Sequence, residues 1–508
     1  MLDCGKEIFK DMQPNINYIS TRGEAGKKEA AEAVIQGIAG DNGLFVPDAI
    51  PALPFAIESM QDKPYRDFAH AILRCFFTDY TEEEIRDCVN GAYDLKFEKA
   101  EIVPVVKAGD AFFLELYHGK TAAFKDMALS ILPYLLTTAM RKRKEDKKIC
   151  ILTATSGDTG KAALEGFADV AGTEIIVFYP SRGVSEVQKR QMTTQEGANT
   201  HVFAIEGNFD DAQTGVKQIF NDGAFADLLA RSGYRLSSAN SINIGRLVPQ
   251  IAYYVYGYAK VAASGAVRWG DPINIVVPTG NFGNILAAYY AKRMGLPVGK
   301  LICASNENKV LADFIRTGVY DINRDFYPTN SPSMDILVSS NLERLLFHLS
   351  GSDPAAIRAL MLALERDKRY AVSGEIREGL SGFFGGYADA AQTNETIGAV
   401  YQRHGYLLDT HTAVAYKVYA DYRKETGDET AALIAFTASA YKFAESVATS
   451  IGLAEEPDGF AYVKALSQKT GIKVPGALHG LEEKEIRHRE VLPANQMQSA
   501  VARALLER

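Results

Sequence analysis

The sequence predicts an α/β protein in which mostly parallel sheets are flanked by helices, with a helical N-terminal extension. Four apolar runs of strand length, each followed by a turn signal and a helical pattern, lie at residues 149–152, 175–179, 201–205 and 273–277. Strands that alternate with helices are typical of βαβ units around a parallel sheet. The 508 residues are 47% apolar and 23% charged, a globular composition that buries a large core without disulfides.

The elements divide the chain into regions. Helical patterns at 27–38 and 65–77, and a capping box opened by Thr81, indicate a helical start. A last short strand is expected at 434–437. In chain order, we expect a mainly helical N-terminal extension at 1–100, an α/β core at 101–460 with a smaller mobile α/β subdomain at about 130–240 and a helix-rich insertion at about 305–430, and a C-terminal helical segment at 461–508.

Composition and charge narrow the function classes. The 55 basic and 63 acidic residues give a net charge of −8, which argues against a nucleic-acid binder, whose surface would be basic. No run approaches the ~20 apolar residues of a membrane span, and residues 1–6 lack the pattern of a secretory signal. Five scattered cysteines, Cys4 among them, predict reduced and mostly buried thiols. We therefore expect a cytoplasmic protein with no nucleic-acid or membrane partner and no metal site.

The first candidate motif for chemistry runs from His118 to Asp126 and includes Lys125. It follows an apolar run at 111–117 and precedes a helical pattern at 127–141. The positive end of the helix dipole and burial would both disfavour a charged amine at this place. A neutral lysine amine is a Schiff-base nucleophile. The alternative is an exposed lysine in the first helical turn, beside Asp126.

Two turns predict anion sites at the starts of helices. Residues 155–160 read Thr-Ser-Gly-Asp-Thr-Gly and precede a helix expected at 161–168. Residues 278–284 read Pro-Thr-Gly-Asn-Phe-Gly-Asn and overlap a helix expected at 281–293. Small residues leave backbone N–H groups exposed at a helix N-terminus, which suits a carboxylate or phosphate. The first turn is alternatively an ordinary βα turn in which Asp158 or Thr159 caps the helix.

A polar cluster at 238–246 opens a helix expected at 243–260, with Arg246 one turn inside it. Arginine gives a bidentate grip on phosphate or carboxylate, although a capped helix with a surface arginine is the alternative. The sequence thus offers two anion sites, a lysine at a helix start and this arginine. These are more groups than the binding of one phosphate requires. The combination predicts pyridoxal 5'-phosphate (PLP), bound through a lysine, beside an anionic substrate.

On these motifs the sequence resembles the PLP-dependent threonine synthases of the bacterial and fungal branch. The resemblance runs through most of the chain, with matching segments at 18–23, 41–47, 115–126, 154–160, 240–246, 280–284, 409–414 and 437–443. It implies a tryptophan-synthase-β-like fold (fold type II), with PLP between a larger and a smaller α/β domain, in a monomer or homodimer.

The resemblance also implies roles for single residues. Lys125 would bind the cofactor covalently, and Thr437 would face its pyridine nitrogen. The cofactor phosphate would be held by Gly280, Asn281, Phe282, Gly283 and Asn284. Ser156, Gly157, Asp158 and Thr159 would either hold the substrate carboxylate or lie close to the cofactor. The substrate phosphate would be gripped by Ser241, Asn243 and Arg246.

The implied reaction converts O-phospho-L-homoserine and water into L-threonine and phosphate, by γ-elimination followed by addition of water at the β carbon. The sequence departs from the family pattern at Lys120, Ala122, Thr410 and the run Ser439-Ala440-Tyr441. Lys120 either adds phosphate affinity or points outward. The other departures leave open a phospholyase that releases 2-oxobutyrate, and a non-catalytic PLP-binding protein.

Overall fold

The structure is a computed structural model that describes residues 15–24 and 26–507. Residues 1–6, on which the expectation of no secretory signal rests, lie outside the described ranges. Cys4, one of the five cysteines expected to be reduced, lies outside them too. The cysteines within them, at positions 75, 88, 150 and 303, are buried and form no disulfide in the described chain. No helix in the described chain combines the length and the apolar character needed to cross a bilayer.

The first part of the described chain pairs a short antiparallel ribbon with helices. Its elements are β1 (Tyr18–Ser20), α1 (Ala30–Gln36), β2 (Phe45–Pro47), α2 (Tyr65–Phe76) and α3 (Glu82–Tyr93). β1 pairs with β2. The capping box is confirmed: the Thr81 side chain accepts a hydrogen bond from the Glu84 N–H, and the Glu84 carboxylate accepts one from the Thr81 N–H.

The middle part alternates strands and helices, as predicted. Its elements are β3 (Val105–Ala108), β4 (Ala111–Glu115), α4 (Asp126–Leu129), α5 (Leu132–Arg143), β5 (Lys148–Ala154), α6 (Asp158–Phe167), β6 (Thr173–Pro180), α7 (Glu186–Thr193), β7 (Thr200–Glu206), α8 (Phe209–Asn221), α9 (Gly223–Arg231) and β8 (Tyr234–Ser237).

The remainder begins with a long buried helix and ends on a surface helix. Its elements are α10 (Ile244–Leu247), α11 (Pro249–Ala263), β9 (Ile273–Pro278), α12 (Gly283–Arg293), β10 (Val298–Ser305), α13 (Val310–Thr317), β11 (Val319–Asp321), α14 (Leu342–Leu349), α15 (Pro354–Asp367), β12 (Arg369–Ala371), α16 (Gly374–Gly379), β13 (Phe383–Tyr387), α17 (Ala390–His404), α18 (Thr410–Thr426), β14 (Ala432–Phe436), α19 (Ala444–Ser450), α20 (Gly459–Thr470), β15 (Val491–Pro493) and α21 (Met497–Leu506). Among the short 3₁₀ turns, Ala440–Phe443 follows β14 directly.

Two sheets carry the fold, which confirms the predicted class. The larger has the order β13-β10-β9-β14-β4-β3 and is parallel except for β3, which runs antiparallel to β4. The smaller has the order β15-β7-β6-β5-β8 and is parallel throughout. The chain leaves the larger sheet after β4, builds β5 to β8, and returns through α11.

Two expected helices are each divided in two by a proline. The helix expected at 127–141 consists of α4 and α5, with Pro133 near the start of α5, and the helix expected at 243–260 consists of α10 and α11, with Pro249 opening α11. Proline lacks an N–H and its ring clashes with the carbonyl four residues earlier. Within α11, Tyr253, Tyr254 and Tyr258 are fully buried.

The C-terminal segment, expected to be helical, also supplies a strand. β15 pairs with β7 at the edge of the smaller sheet, and α21 packs on α8 behind it. Leu492, Met497 and Val501 are buried there. Residues 491–506 therefore complete a sheet whose other strands were built more than 250 residues earlier.

Candidate active site

The candidate site lies where strands of both sheets end. The segments after β4, β9 and β14 come from the larger sheet, and the turn after β5 comes from the smaller one. The backbone N–H of Phe124 donates to the Thr437 carbonyl at 2.7 Å, so the segment before Lys125 runs beside the end of β14. The carboxyl ends of parallel strands are the usual place for ligands in open α/β sheets.

The side chain of Lys125, 11% exposed, lies nearly buried at the centre of this region. Lys125 caps α4, and its Nζ lies 3.4 Å from Asp158 Oδ2 and 3.4 Å from Ser333 Oγ. Burial lowers the pKa of the Lys125 amine, and the nearby cations Lys442 and Arg246 lower it further, against an opposing effect of Asp158. The sequence alternative of an exposed first-turn lysine is thus wrong. A buried amine with a lowered pKa is a nucleophile and a base.

Asp158 is the acidic partner of two lysines. Its Oδ1 accepts a hydrogen bond from Gln188 Nε2 at 2.7 Å and lies 2.6 Å from Lys442 Nζ, while Oδ2 faces Lys125. Burial alone would raise the pKa of Asp158, but the ion pairs with Lys442 and Lys125 hold it far below its usual range. The carboxylate is therefore charged.

Sequence reasoning missed Lys442. Its side chain is 0% exposed, in the 3₁₀ turn after β14, and Nζ also donates to the Thr121 carbonyl at 2.9 Å. Lys120, which was noted as a second lysine, is 53% exposed and lies 3.6 Å from Glu165. No sequence signal marked Lys442, because its partners Asp158 and Thr121 come from distant segments of the chain.

The turn after β5 is tightly constrained. Thr155 Oγ1 accepts hydrogen bonds from the N–H groups of Gly157 (3.0 Å) and Gly160 (2.9 Å). Gly157 has φ +143°, and a Cβ there would come within 2.7 Å of the Gln188 side chain. Gly157 is the N-cap residue of α6, whereas the alternative of an ordinary βα turn named Asp158 or Thr159 as the cap. Ser156 and Thr159 are half-buried beside Asp158.

The turn after β9 forms a cradle at the start of α12. Phe282 is left-handed, with φ 62°, and a Cβ on Gly280 would lie 2.5 Å from the Ser333 carbonyl oxygen. Asn284 accepts hydrogen bonds at Oδ1 from the hydroxyls of Tyr253 and Tyr254. Its Nδ2 is buried without a partner. A helix N-terminus with a free buried donor fits an anionic group.

Arg246 is a buried cation. Its side chain donates to the Ala239 carbonyl at 2.8 Å, and its Nε has no hydrogen-bond partner. No carboxylate among the described residues forms an ion pair with it, and burial lowers its pKa to about 10. The sequence alternative of a surface arginine is wrong. A buried guanidinium with an unused donor fits a phosphate or carboxylate.

Asn243 is used structurally. Its Oδ1 accepts from the Gly245 N–H at 2.9 Å and caps α10, while Nδ2 donates to the carbonyls of Val34 (3.0 Å) and Ser238 (3.2 Å). Both amide hydrogens are therefore already used. Ser241, by contrast, lies toward the cradle, where its Oγ accepts a hydrogen bond from Asn341.

Asn341 is a second residue that sequence reasoning missed. Its Nδ2 donates to Ser241 Oγ (3.2 Å) and to the Asn281 carbonyl (2.9 Å), so it joins two predicted anion-binding segments. Arg344 holds Asn341 Oδ1 and also donates to the carbonyls of Phe45 and Ile242. No motif marked either residue, because their role depends on contacts distant in sequence.

A buried relay supports the other side of the site. The Ser333 N–H donates to His411 Nε2 at 3.1 Å, so His411 Nδ1 carries the hydrogen that it donates to Asp409 at 3.0 Å. Asp409 also accepts the Thr412 hydroxyl, which in turn accepts the Thr437 N–H at 3.4 Å. The relay positions both Ser333, next to Lys125, and the backbone of Thr437.

These features fit a phosphate-bearing aldehyde cofactor and an anionic substrate. The amine of Lys125 is nearly buried, and the cradle has no room for a side chain at Gly280. The free donors of Asn284 and Arg246 lie in separate segments. Comparison with known proteins agrees: a family model described as threonine synthase N terminus matches residues 17–93, and one described as pyridoxal-phosphate dependent enzyme matches residues 106–438.

A threonine synthase of Pseudomonas aeruginosa is 39% identical over 449 residues, covering 87% of this chain and 92% of that protein. The chain belongs to the threonine synthase family of pyridoxal-phosphate dependent enzymes. The crystal structure of PLP-bound threonine synthase from Brucella melitensis superposes with a TM-score of 0.85 at 35% identity, covering 97% of this chain and 100% of the other. Threonine synthase from yeast gives 0.86 at 31% identity, covering 98% and 100%.

The family also contains longer relatives. Human threonine synthase-like 1 is 40% identical over 441 residues, and this chain covers 58% of its length. Membership gives this chain the fold type II of PLP-dependent enzymes, as the sequence predicted. When bound, PLP supplies an electron sink for the carbanion that forms beside the amino group of a substrate.

Proposed function

We propose that the protein converts O-phospho-L-homoserine and water into L-threonine and phosphate. The observation that carries this proposal is the buried, unpaired guanidinium of Arg246, which lies outside the cradle at Gly280–Asn284. A cofactor with one phosphate would occupy only one of the two anion sites, the cradle. The other site, at Arg246, suits a substrate that carries its own phosphate. Threonine synthases are the relatives that match over most of this chain.

In this proposal Lys125 anchors the cofactor, and the cradle of Gly280, Asn281, Phe282, Gly283 and Asn284 binds its phosphate. Thr437 faces the pyridine nitrogen. The substrate carboxylate meets Ser156, Gly157 and Thr159, beside Asp158. Ser241 and Arg246 bind the substrate phosphate, while Asn243 shapes that segment through the cap of α10.

In this proposal Lys125 transfers the protons of the reaction. Once the substrate amine has replaced it on the cofactor, the neutral Lys125 amine takes the α proton, gives that proton up, and can then take a β proton as general base. The γ carbon gains a proton after phosphate leaves. Arg246 stabilises the charge that grows on the departing phosphate, because its guanidinium is held in place before the reaction begins. Water adds at the β carbon only after phosphate leaves. We therefore propose that the subdomain at about 130–240, together with β15, moves as a unit against the larger sheet to control the entry of water.

The setting of the reaction is part of the same proposal. We propose a cytoplasmic enzyme of threonine biosynthesis that needs a small phosphorylated amino acid and neither nucleic acid nor membrane, in line with its acidic composition. The test is to give the purified, PLP-loaded protein O-phospho-L-homoserine and to quantify phosphate, threonine and 2-oxobutyrate together.

Phosphate matched by threonine supports the proposal. Phosphate matched by 2-oxobutyrate would show that the intermediate hydrolyses without β-addition of water, and the protein would be a phospholyase. Absence of phosphate release, with PLP bound, would leave a binding protein. Arg235→Ala is the control variant. Arg235 lies in β8, an edge strand of the smaller sheet, and pairs with Glu145 and Glu32. We expect this variant to keep the wild-type product ratios.

A further inference from the structure

Two lysines, Lys442 and Lys125, share the buried carboxylate of Asp158. Asp158 faces Lys442 at 2.6 Å and Lys125 at 3.4 Å. Lys442 has a second partner in the Thr121 carbonyl at 2.9 Å, whereas Lys125 has only long contacts, to Asp158 and Ser333. Lys442 is thus held by the shorter and better satisfied contacts.

One carboxylate neutralises one ammonium ion. A second ammonium ion in the same buried space would carry a charge without a counterion, which is unfavourable away from water. The charged groups that face Lys125 are Asp158 from α6, Lys442 from the turn after β14 and Arg246 from α10, and Asp126 faces Lys442. One of the two lysines is therefore expected to lose its proton. It is the amine with the weaker contacts, Lys125.

We propose that Lys442 is a positioning residue that occupies Asp158 and thereby leaves the Lys125 amine neutral and able to attack. This inference rests on the proposed role of Lys125 as the residue that anchors the cofactor. It assigns a function to a lysine that the reaction itself does not touch. It also explains why a fully buried lysine is retained between two aromatic residues.

The test measures the protonation of Lys125 directly, without turnover. The full-length protein, stripped of PLP, is labelled with a trace of acetic anhydride from about pH 6 to about pH 11, and the labelling of each lysine is read by peptide mass spectrometry. Lys442→Met frees Asp158 to pair with Lys125. We expect the Lys125 midpoint to rise by about one pH unit or more, so that labelling at a fixed pH below the midpoint falls roughly tenfold.

Asp158→Asn gives the opposite expectation. It removes the carboxylate that favours the ammonium form, so the Lys125 midpoint falls. A merely loosened structure would instead move both variants toward the midpoint of an exposed lysine. Lys442→Arg keeps the cation and keeps the wild-type profile, and Lys120→Met, on the exposed lysine of the same segment, is the matched control.

An unmoved Lys125 profile in folded Lys442→Met overturns the inference. If Lys442→Met does not fold, Asp158→Asn decides alone: a lower midpoint supports the inference, and an unchanged or higher one overturns it. Reloading with PLP and following its absorbance against pH provides a second readout. Failure of the proposed function appears separately, in the product assay with wild-type protein.

Discussion

Arg246 and Asn284 each bury a nitrogen that has no hydrogen-bond partner in the folded chain. Such a donor costs about 1–3 kcal/mol if it stays unpaired, so both residues mark places that a ligand satisfies. Their importance was predictable, since arginine and asparagine stand at helix starts in the sequence. Lys442 and Asn341 were not predictable, because their partners at Asp158 and Asn281 come from distant segments.

At this scale, Lys125→Ala removes the proposed attachment point. The wild-type protein, reduced with borohydride in the presence of PLP, gains the mass of one cofactor, and the variant gains none, since no other amine is equally placed. Intact-mass spectrometry checks this. A cofactor retained on the variant would contradict the assignment, and peptide mapping would then examine Lys442 before the exposed Lys120.

Arg246→Ala tests the phosphate site. Loss of a charged hydrogen-bond partner removes about 1.5–3 kcal/mol, so kcat/KM for O-phospho-L-homoserine falls by roughly one to two decades. PLP binding, measured by absorbance, stays close to wild type because the cradle is a separate segment. A kcat/KM equal to that of the control Arg235→Ala would remove Arg246 from the site.

At the scale of elements, the turns that follow the strands hold the residues of the candidate site. The strands at 149–152, 175–179, 201–205 and 273–277 follow from apolar runs, and the structure lengthens each of them at one or both ends. The helices that follow them were also predicted, although α12 begins two residues later than expected. Pro133 and Pro249 could have predicted the two helix breaks. The apolar pattern continues across both prolines, so each pair of helices was predicted as one helix. The role of Asn243 could not be read from sequence, because Val34, which accepts one of its amide hydrogens, lies in α1.

Asp126 fixes the segment before Lys125 and makes its stability depend on pH. Its two oxygens accept hydrogen bonds from the Thr121 N–H (2.8 Å) and hydroxyl (2.6 Å), and burial raises its pKa to about 6. The folded state therefore holds this proton more tightly than the unfolded state does. The stabilisation is complete below about pH 4 and is lost as pH rises through about 6.

Asp126→Asn removes this titration and keeps an acceptor for Thr121. The free energy of unfolding of the variant, relative to wild type, therefore improves by up to about 3 kcal/mol between about pH 4 and about pH 7. Thermal melts of both proteins at the two pH values check this through the difference in Tm. The same difference at both values would contradict the raised pKa of Asp126.

At the scale of the whole molecule, the two sheets are interleaved in sequence. β3 and β4 belong to the larger sheet, β5 to β8 to the smaller, β9, β10, β13 and β14 to the larger again, and β15 to the smaller. Apolar runs in the sequence predicted β4, β9 and β14 of the larger sheet and β5, β6 and β7 of the smaller sheet, but not β3, β8, β10 or β13. They could not predict that three residues near position 492 return to β7, because so short an edge strand has almost no pattern of its own.

Removal of residues 491–508 tests this return. It uncovers the edge of β7 and the apolar surface beneath Leu492, Met497, Val501 and Leu505, each worth about 1.5–3 kcal/mol when buried. We expect faster amide hydrogen exchange in β5, β6 and β7, with exchange in β9 and β14 unchanged. Val501→Asp in the full chain should act in the same direction. Equal exchange in the smaller sheet would contradict the pairing.

The position of β15 has a consequence for how the protein is made. A ribosome releases β5 to β8 long before it releases residues 491–506, so the nascent smaller sheet waits with an open edge at β7 while more than 250 residues are translated. An open edge is a template for pairing with other chains. Synthesis of this enzyme therefore has a late vulnerable interval, in which a chaperone that covers exposed strands, or a slower approach to the stop codon, would change the yield of soluble protein.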